Sequence, residues 1–182
     1  RAQQTLQITQ GLYQPRSGEG YITYPRTDSR RLPDDYPNQV VETLGKFENS
    51  IYEIYSQNIL DKGLVNNKDR KVFDSKKVSD HFAIIPTNVV PPSGKLTEPE
   101  TKIYDLIVRR FLAIFYPPVI TQETIRDTQI GDVHFRTKGK ILINKGWKEV
   151  LESNTAETIL NAIEENEKAK CLEIKKEESH TN

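Results

Sequence analysis

The sequence predicts an α+β chain, a mainly helical first part followed by a β-rich second part, with the boundary between about Pro91 and Val119. Three observations predict it. Apolar residues up to Ile114 recur at helical spacing, and after Pro117-Pro118 the period changes to two. Ahead of the last helical run, Pro91-Pro92-Ser93-Gly94 has the composition of a linker.

The elements follow in order. Ala2, Leu6, Thr9 and Tyr13, with Leu12 beside them, mark a short amphipathic helix. The run Pro15-Arg16-Ser17-Gly18-Glu19-Gly20 ends it, because Pro removes a donor and the glycines favour turns. Tyr21-Ile22-Thr23-Tyr24 reads as a strand, rich in aromatic and β-branched residues, and stops at Pro25. From Val40 to Ile59, Leu44, Phe47, Ile51, Ile54 and Tyr55 give one helical face, divisible at Gly45 or Asn49-Ser50. Residues 61–80 form a polar loop, and Phe82-Ala83-Ile84-Ile85-Pro86-Thr87 is a short apolar run closed by Pro.

Thr97 and Glu100 then predict a capping box, opening a helix whose inner face is Ile103, Ile107, Phe111 and Ile114. Strands are predicted over Val119–Thr128 and Val133–Lys138, joined near Gly131-Asp132, with Lys140–Asn144 as a third. Gly146-Trp147 is expected to be a turn with a packed aromatic. Beyond Glu152, a helical run from Ala156 to Ile163 and a last strand from Lys170 to Ile174 are expected.

Composition bounds the possibilities. The 182 residues are 35% hydrophobic and 29% charged, which suits one or two solvated compact units with modest cores. There is no Met and the first residue is Arg1, the pattern expected of a piece from a longer protein. No apolar run reaches the roughly 18 positions of a membrane helix, and no secretory leader is visible. The single Cys171 excludes an internal disulfide and fits a reducing compartment. The 26 basic and 26 acidic side chains cancel, but unevenly. Residues 1–151 hold 22 basic and 18 acidic groups, and residues 152–182 hold 4 and 8. Nucleic-acid binding depends on local basic clusters, so zero net charge excludes a histone-like coating protein and little else.

The segment with the most chemistry is Tyr24-Pro25-Arg26-Thr27-Asp28-Ser29. Pro25 biases Tyr24 towards extended backbone, where residues two apart share a face, so Tyr24, Arg26 and Asp28 can point together. A cation beside a phenol favours the phenolate, the form that attacks phosphorus or carbon. Arg also grips a phosphate through two hydrogen bonds and steadies charge built up in phosphoryl transfer. Spacing alone suits Tyr24 as a core residue with Arg26 as a surface charge, and Tyr21 and Tyr36 are competing phenols. His81, after a basic loop, is either a phosphate-binding edge residue or a structural histidine. Arg26, Arg30 and Arg31, with Lys68, Arg70, Lys71, Lys76 and Lys77, form a basic set whose interspersed acids also suit a solvated loop. There is no Cys pair for zinc, no phosphate-binding GxxxxGK[ST] loop, no GxSxG elbow, and no DxD pair for magnesium.

Gly20 through Ser29 resembles the active-site motif of type IA DNA topoisomerases, and His81 through Thr87 resembles that family's second signature. Further segments are similar too: Ala2–Tyr13 to the helix before the active site, Leu96–Phe115 to the helix leaving it, and Gly139–Leu151 to the strands that follow. Pro25 and Ile84-Ile85-Pro86-Thr87 look more like bacterial topoisomerase III than topoisomerase I. The resemblance covers most of residues 2–151.

It implies that Tyr24 attacks single-stranded DNA and becomes joined to the 5′-phosphate, leaving a 3′-hydroxyl. Arg26 is implied to bind the scissile phosphate and His81 the backbone near it; Thr27 and Ser29 are either phosphate donors or turn residues. It further implies a winged-helix-like gate domain (1–95), a connecting helix (96–118), and a β-rich segment of the arch with an acidic tail (119–182). Magnesium is expected in a Toprim domain outside this sequence, so the segment alone is expected not to relax DNA. A cytoplasmic, nucleoid location follows by the same analogy. The alternative is a winged-helix-type DNA-binding or interaction module without catalysis.

Overall fold

The computed structural model describes residues 2–15, 18–164 and 167–168. Cys171 and the strand expected over 170–174 lie outside them. The described chain is mixed α and β, with four α-helices and one two-stranded antiparallel sheet. It divides into two compact units: residues up to Val119 together with Lys145–Asn154, and Ile120–Asn144 together with residues from Thr155 onward. No described helix is long and apolar enough to cross a membrane. Among the described residues, no group of three or more His, Cys, Asp or Glu converges to hold a metal.

In the first unit, α1 (Ala2–Tyr13) buries Leu12 and leans Ile8 on the core, while Ala2 and Leu6 stay exposed. The contact stripe is therefore displaced from the expected one. The long helix of 40–59 is two helices, α2 (Pro37–Gly45) and α3 (Glu53–Asp61), separated by turns in which Asn49 takes φ +60°. Pro37 opens α2 at a position where its missing N–H costs nothing. The break re-aims the second half. Phe47 and Tyr52 go into the core, whereas Ile51 and Ile54, expected on the inner face, are 71% and 74% exposed.

The capping box forms. Thr97 donates its backbone N–H (2.8 Å) and its hydroxyl (2.7 Å) to Glu100 Oε2, at the start of α4 (Glu98–Ala113). These bonds hold the Glu100 carboxyl below the ordinary carboxylate range. Their stabilisation is in place above the unfolded value of about 4.3 and is lost as pH falls through the lower folded one. Thr97→Ala is expected to lower stability by about 1 kcal/mol and to shrink this acid-side dependence, read from urea midpoints between pH 3 and 7. The buried stripe of α4 is Tyr104, Val108, Phe111 and Leu112; Ile103 and Ile107 are half-buried and Ile114 is exposed, a correction to the expected face. α4 packs on α1 and α3. Arg109 on α4 grips the returning segment, donating to Val150 O (2.9 Å) and Glu152 Oε1 (2.8 Å) while pairing with Asp105.

The second unit is a ribbon of β1 (Ile120–Ile130) and β2 (Val133–Asn144), closed by Gly131-Asp132. The strands expected over 133–138 and 140–144 are one. Gly139 does not interrupt the ladder; it makes room, since a Cβ there would lie 2.7 Å from Leu160 Cγ and 2.9 Å from Thr158 O. Residues 156–163, expected as a helix, form none. Thr158 pairs with Lys140 through both backbone bonds (2.8 and 2.9 Å), and Glu157 accepts the Leu142 N–H. Pairing to a strand outweighs the modest helix preference of this run.

Candidate active site

The site is built where two loops of the first unit meet. The expected strand at Tyr21–Tyr24 is not a ladder: bends at Tyr21, Thr23 and Pro25 leave one antiparallel bridge, Ile22 to Pro86. Pro86 in the bridge and Pro25 just past it cannot donate, which limits the pairing. Side-chain hydroxyls complete it. Thr23 exchanges backbone N–H and hydroxyl bonds with Ala83 and Ile85 (2.9 Å each), and Thr87 donates its N–H to Tyr21 O (3.1 Å) and its hydroxyl to Gly20 O (2.6 Å). Tyr21 N–H in turn reaches Leu12 O at the end of α1 (2.8 Å).

Tyr24 and His81, 57 positions apart, come together in this frame. Their ring centroids are 4.2 Å apart at 37°, and Tyr13 from α1 meets the Tyr24 ring edge-on at 5.3 Å. Tyr24 is half-buried and His81 exposed, so the phenol is positioned by rings on two sides without being sealed in the core. Arg26 is exposed two residues further on and enters no ion pair among the described residues. Asp28 accepts a hydrogen bond from Ser79 (3.0 Å).

The hydroxyls of Thr27 and Ser29 hold loops together. Thr27 donates to His81 O (2.8 Å) and accepts from Ser29 N–H; Ser29 donates to Lys77 O (2.7 Å) and accepts from Arg31 N–H. Thr27 thus ties the backbone of the His81 loop to the Tyr24 loop directly.

The competing phenols sit differently. Tyr21 is buried, with its ring 6.5 Å from that of Tyr104. Tyr36 packs on Phe82 at 4.8 Å, and burial pushes its phenol above the ordinary tyrosine value. Tyr13, which the sequence places on the face of an amphipathic helix and not at the site, comes against Tyr24 where the Tyr21 N–H bonds to Leu12 O at the end of α1.

Gly20 permits this closure. A Cβ there would fall 2.1 Å from Tyr13 O, a backbone atom that cannot swing aside. Gly20→Ala is expected to cost about 1–3 kcal/mol by overpacking and to displace the Tyr13–Tyr24 contact, measurable as a lowered urea midpoint and altered tyrosine fluorescence.

With this geometry in view, the relatives are informative. A family model described as DNA topoisomerase matches residues 1–182. DNA topoisomerase 3 of Bacillus cereus strain ATCC 14579 is 38% identical over 152 residues, 84% of this chain and 20% of the relative. The enzyme of that name from Bacillus licheniformis is 40% identical over 151 residues, 83% of this chain and 20% of the relative. That of Bacillus subtilis strain 168 is 38% identical over the same length and shares. The chain spans about a fifth of the length of these relatives. A match along the whole chain, joined to relatives of one name, decides the family: the chain belongs to the type IA DNA topoisomerases.

Proposed function

We propose that this chain is the tyrosine-bearing part of a topoisomerase that cleaves and rejoins single-stranded DNA, changing topology by strand passage. The observation that carries this reading is the Tyr24 ring held with its centroid 4.2 Å from that of the His81 ring, where the two motif loops meet. Tyr24 Oη attacks a backbone phosphorus, an O–P bond forms to the 5′-phosphate, and the bond to the 3′-oxygen breaks. The phenol proton passes to solvent and the departing oxygen takes one from solvent, leaving as a 3′-hydroxyl; its return attack reverses both transfers and regenerates the phenol and the intact strand. Arg26, exposed two residues after Tyr24, takes the phosphate oxygens and steadies the charge of the five-coordinate state. His81 contacts the neighbouring backbone.

In this reading residues 1–95 form the winged-helix-like gate, 96–118 the connecting helix, and residues from 119 a segment of the arch. Magnesium would supply charge neutralisation at the phosphate. The described residues offer no ligand set for it, so a separate, acidic Toprim domain is proposed to carry it and to complete the site. The enzyme is proposed to work on the bacterial nucleoid.

The test is covalent transfer. The chain is mixed with a Toprim-containing portion of a DNA topoisomerase 3 relative, magnesium and an internally labelled single strand, then denatured. Label retained on the chain is expected. Salt-sensitive DNA binding without retained label would favour a non-catalytic binding module instead.

A further inference from the structure

A cleft of about 330 Å³ lies beside the motif loops, lined by Glu19, Gly20, Tyr36, Gln39, Thr87 and Asn88. Its size is at the small end of the roughly 300–1,000 Å³ range of ligand sites. Gly20 and Thr87 belong to the frame that holds Tyr24, and Tyr36 packs on Phe82, the neighbour of His81. Gly20 and Tyr24 are four positions apart, at most about 14 Å of chain. A strand held at Tyr24 reaches the cleft within a few nucleotides.

The chemistry of the lining suits a base and not a phosphate. No Lys or Arg lines the cleft, and Glu19 repels anions while its carboxylate accepts from an exocyclic amino group. The Asn88 amide is anchored: Thr43 Oγ1 lies 2.6 Å from its Oδ1 and 2.8 Å from Gln39 O in α2. Whichever acceptor takes the single hydroxyl proton, one end of the amide is fixed on Thr43 and the rest faces the cleft with unused hydrogen-bonding capacity. Gln39 supplies a second amide from the same helix, and the Tyr36 ring supplies an aromatic surface of the kind on which bases stack.

We propose that this cleft reads one amino-bearing nucleobase of the strand engaged by Tyr24, with adenine the best match. An Asn or Gln amide meets adenine N6 and N7 with two hydrogen bonds, whereas thymine has no amino group for Glu19 to accept from. Gln39 and Asn88 are then specificity-determining residues. The proposal rests on the functional reading above for the identity of the strand, but its test needs neither magnesium nor catalysis.

The chain is titrated with fluorescent (dA)12 and (dT)12, with anisotropy as the readout. Expected is a preference for (dA)12 of about 5- to 150-fold, the range of one good bidentate base contact. In the Gln39→Ala/Asn88→Ala double variant the ratio is expected to fall to within about twofold of one. Gln57→Ala, on the unrelated α3, keeps the parent ratio, and a thermal melt of each variant verifies folding. Equal affinity of the parent for both oligomers, or a ratio unchanged in the folded double variant, would overturn the proposal. Base preference with no covalent adduct would count against the Tyr24 chemistry alone; an adduct with no base preference would count against the cleft alone.

Discussion

Tyr24→Phe is expected to bring covalent adduct formation below detection while leaving the fold and DNA binding close to the parent. The ring stays, and with it the contacts to His81 at 4.2 Å and Tyr13 at 5.3 Å; only the attacking oxygen is removed. Without that oxygen no other group at the site takes its place. Thr27 and Ser29 both spend their hydroxyl protons on backbone carbonyls and are weak nucleophiles without an adjacent base. Tyr21→Phe, in the buried aromatic cluster with Tyr104, is the control and is expected to keep the adduct. An adduct surviving Tyr24→Phe would sink the assignment.

Arg26→Ala is expected to slow cleavage by about 10²–10³-fold, the effect of losing one preorganised contact to transition-state charge, about 2.7–4 kcal/mol. Stability should barely change, because Arg26 is exposed and enters no ion pair among the described residues. That separation makes the variant informative: the rate of label transfer falls while the thermal midpoint stays. Arg26→Lys should fall between the two, since an ammonium keeps the charge and loses the two-pronged grip. A rate equal to the parent in Arg26→Ala would remove Arg26 from the reaction.

Local chemistry made parts of the fold legible. The capping box at Thr97 and Glu100 is a four-residue interaction, and it formed as read. The turn at Gly131-Asp132 likewise depends on its own residues. Where a partner decides the outcome, local patterns misled. α4 carries apolar residues around much of its circumference, so period alone did not say whether Ile103 and Ile107 or Tyr104 and Val108 face inward; packing on α1 and α3 did. The turn between α2 and α3 put Ile51 and Ile54 in solvent. Residues 156–163 formed no helix, because Lys140 offered Thr158 backbone partners.

The site divides along the same line. Tyr24, Arg26 and His81 stood out as residue types in recognisable motifs. What no local pattern held was the frame: the hydroxyl bonds of Thr23, Thr27 and Thr87 across more than 50 positions, the edge contact from Tyr13, and the need for Gly20 beside Tyr13 O. The hydroxyl bonds are long-range contacts between two loops, and the Tyr13 and Gly20 contacts depend on how the end of α1 meets the first of them.

The most direct measurement is the chemical identity of the protein–DNA bond. The adduct formed with the Toprim-containing portion and magnesium is digested with protease and nuclease, and the nucleotide-bearing peptide is sequenced by mass spectrometry. A nucleotide joined through its 5′-phosphate to Tyr24 is expected. A nucleotide on Tyr13, Tyr21, Tyr36 or a serine, or one joined through its 3′-phosphate, would contradict the assignment of Tyr24 as the nucleophile of a type IA reaction.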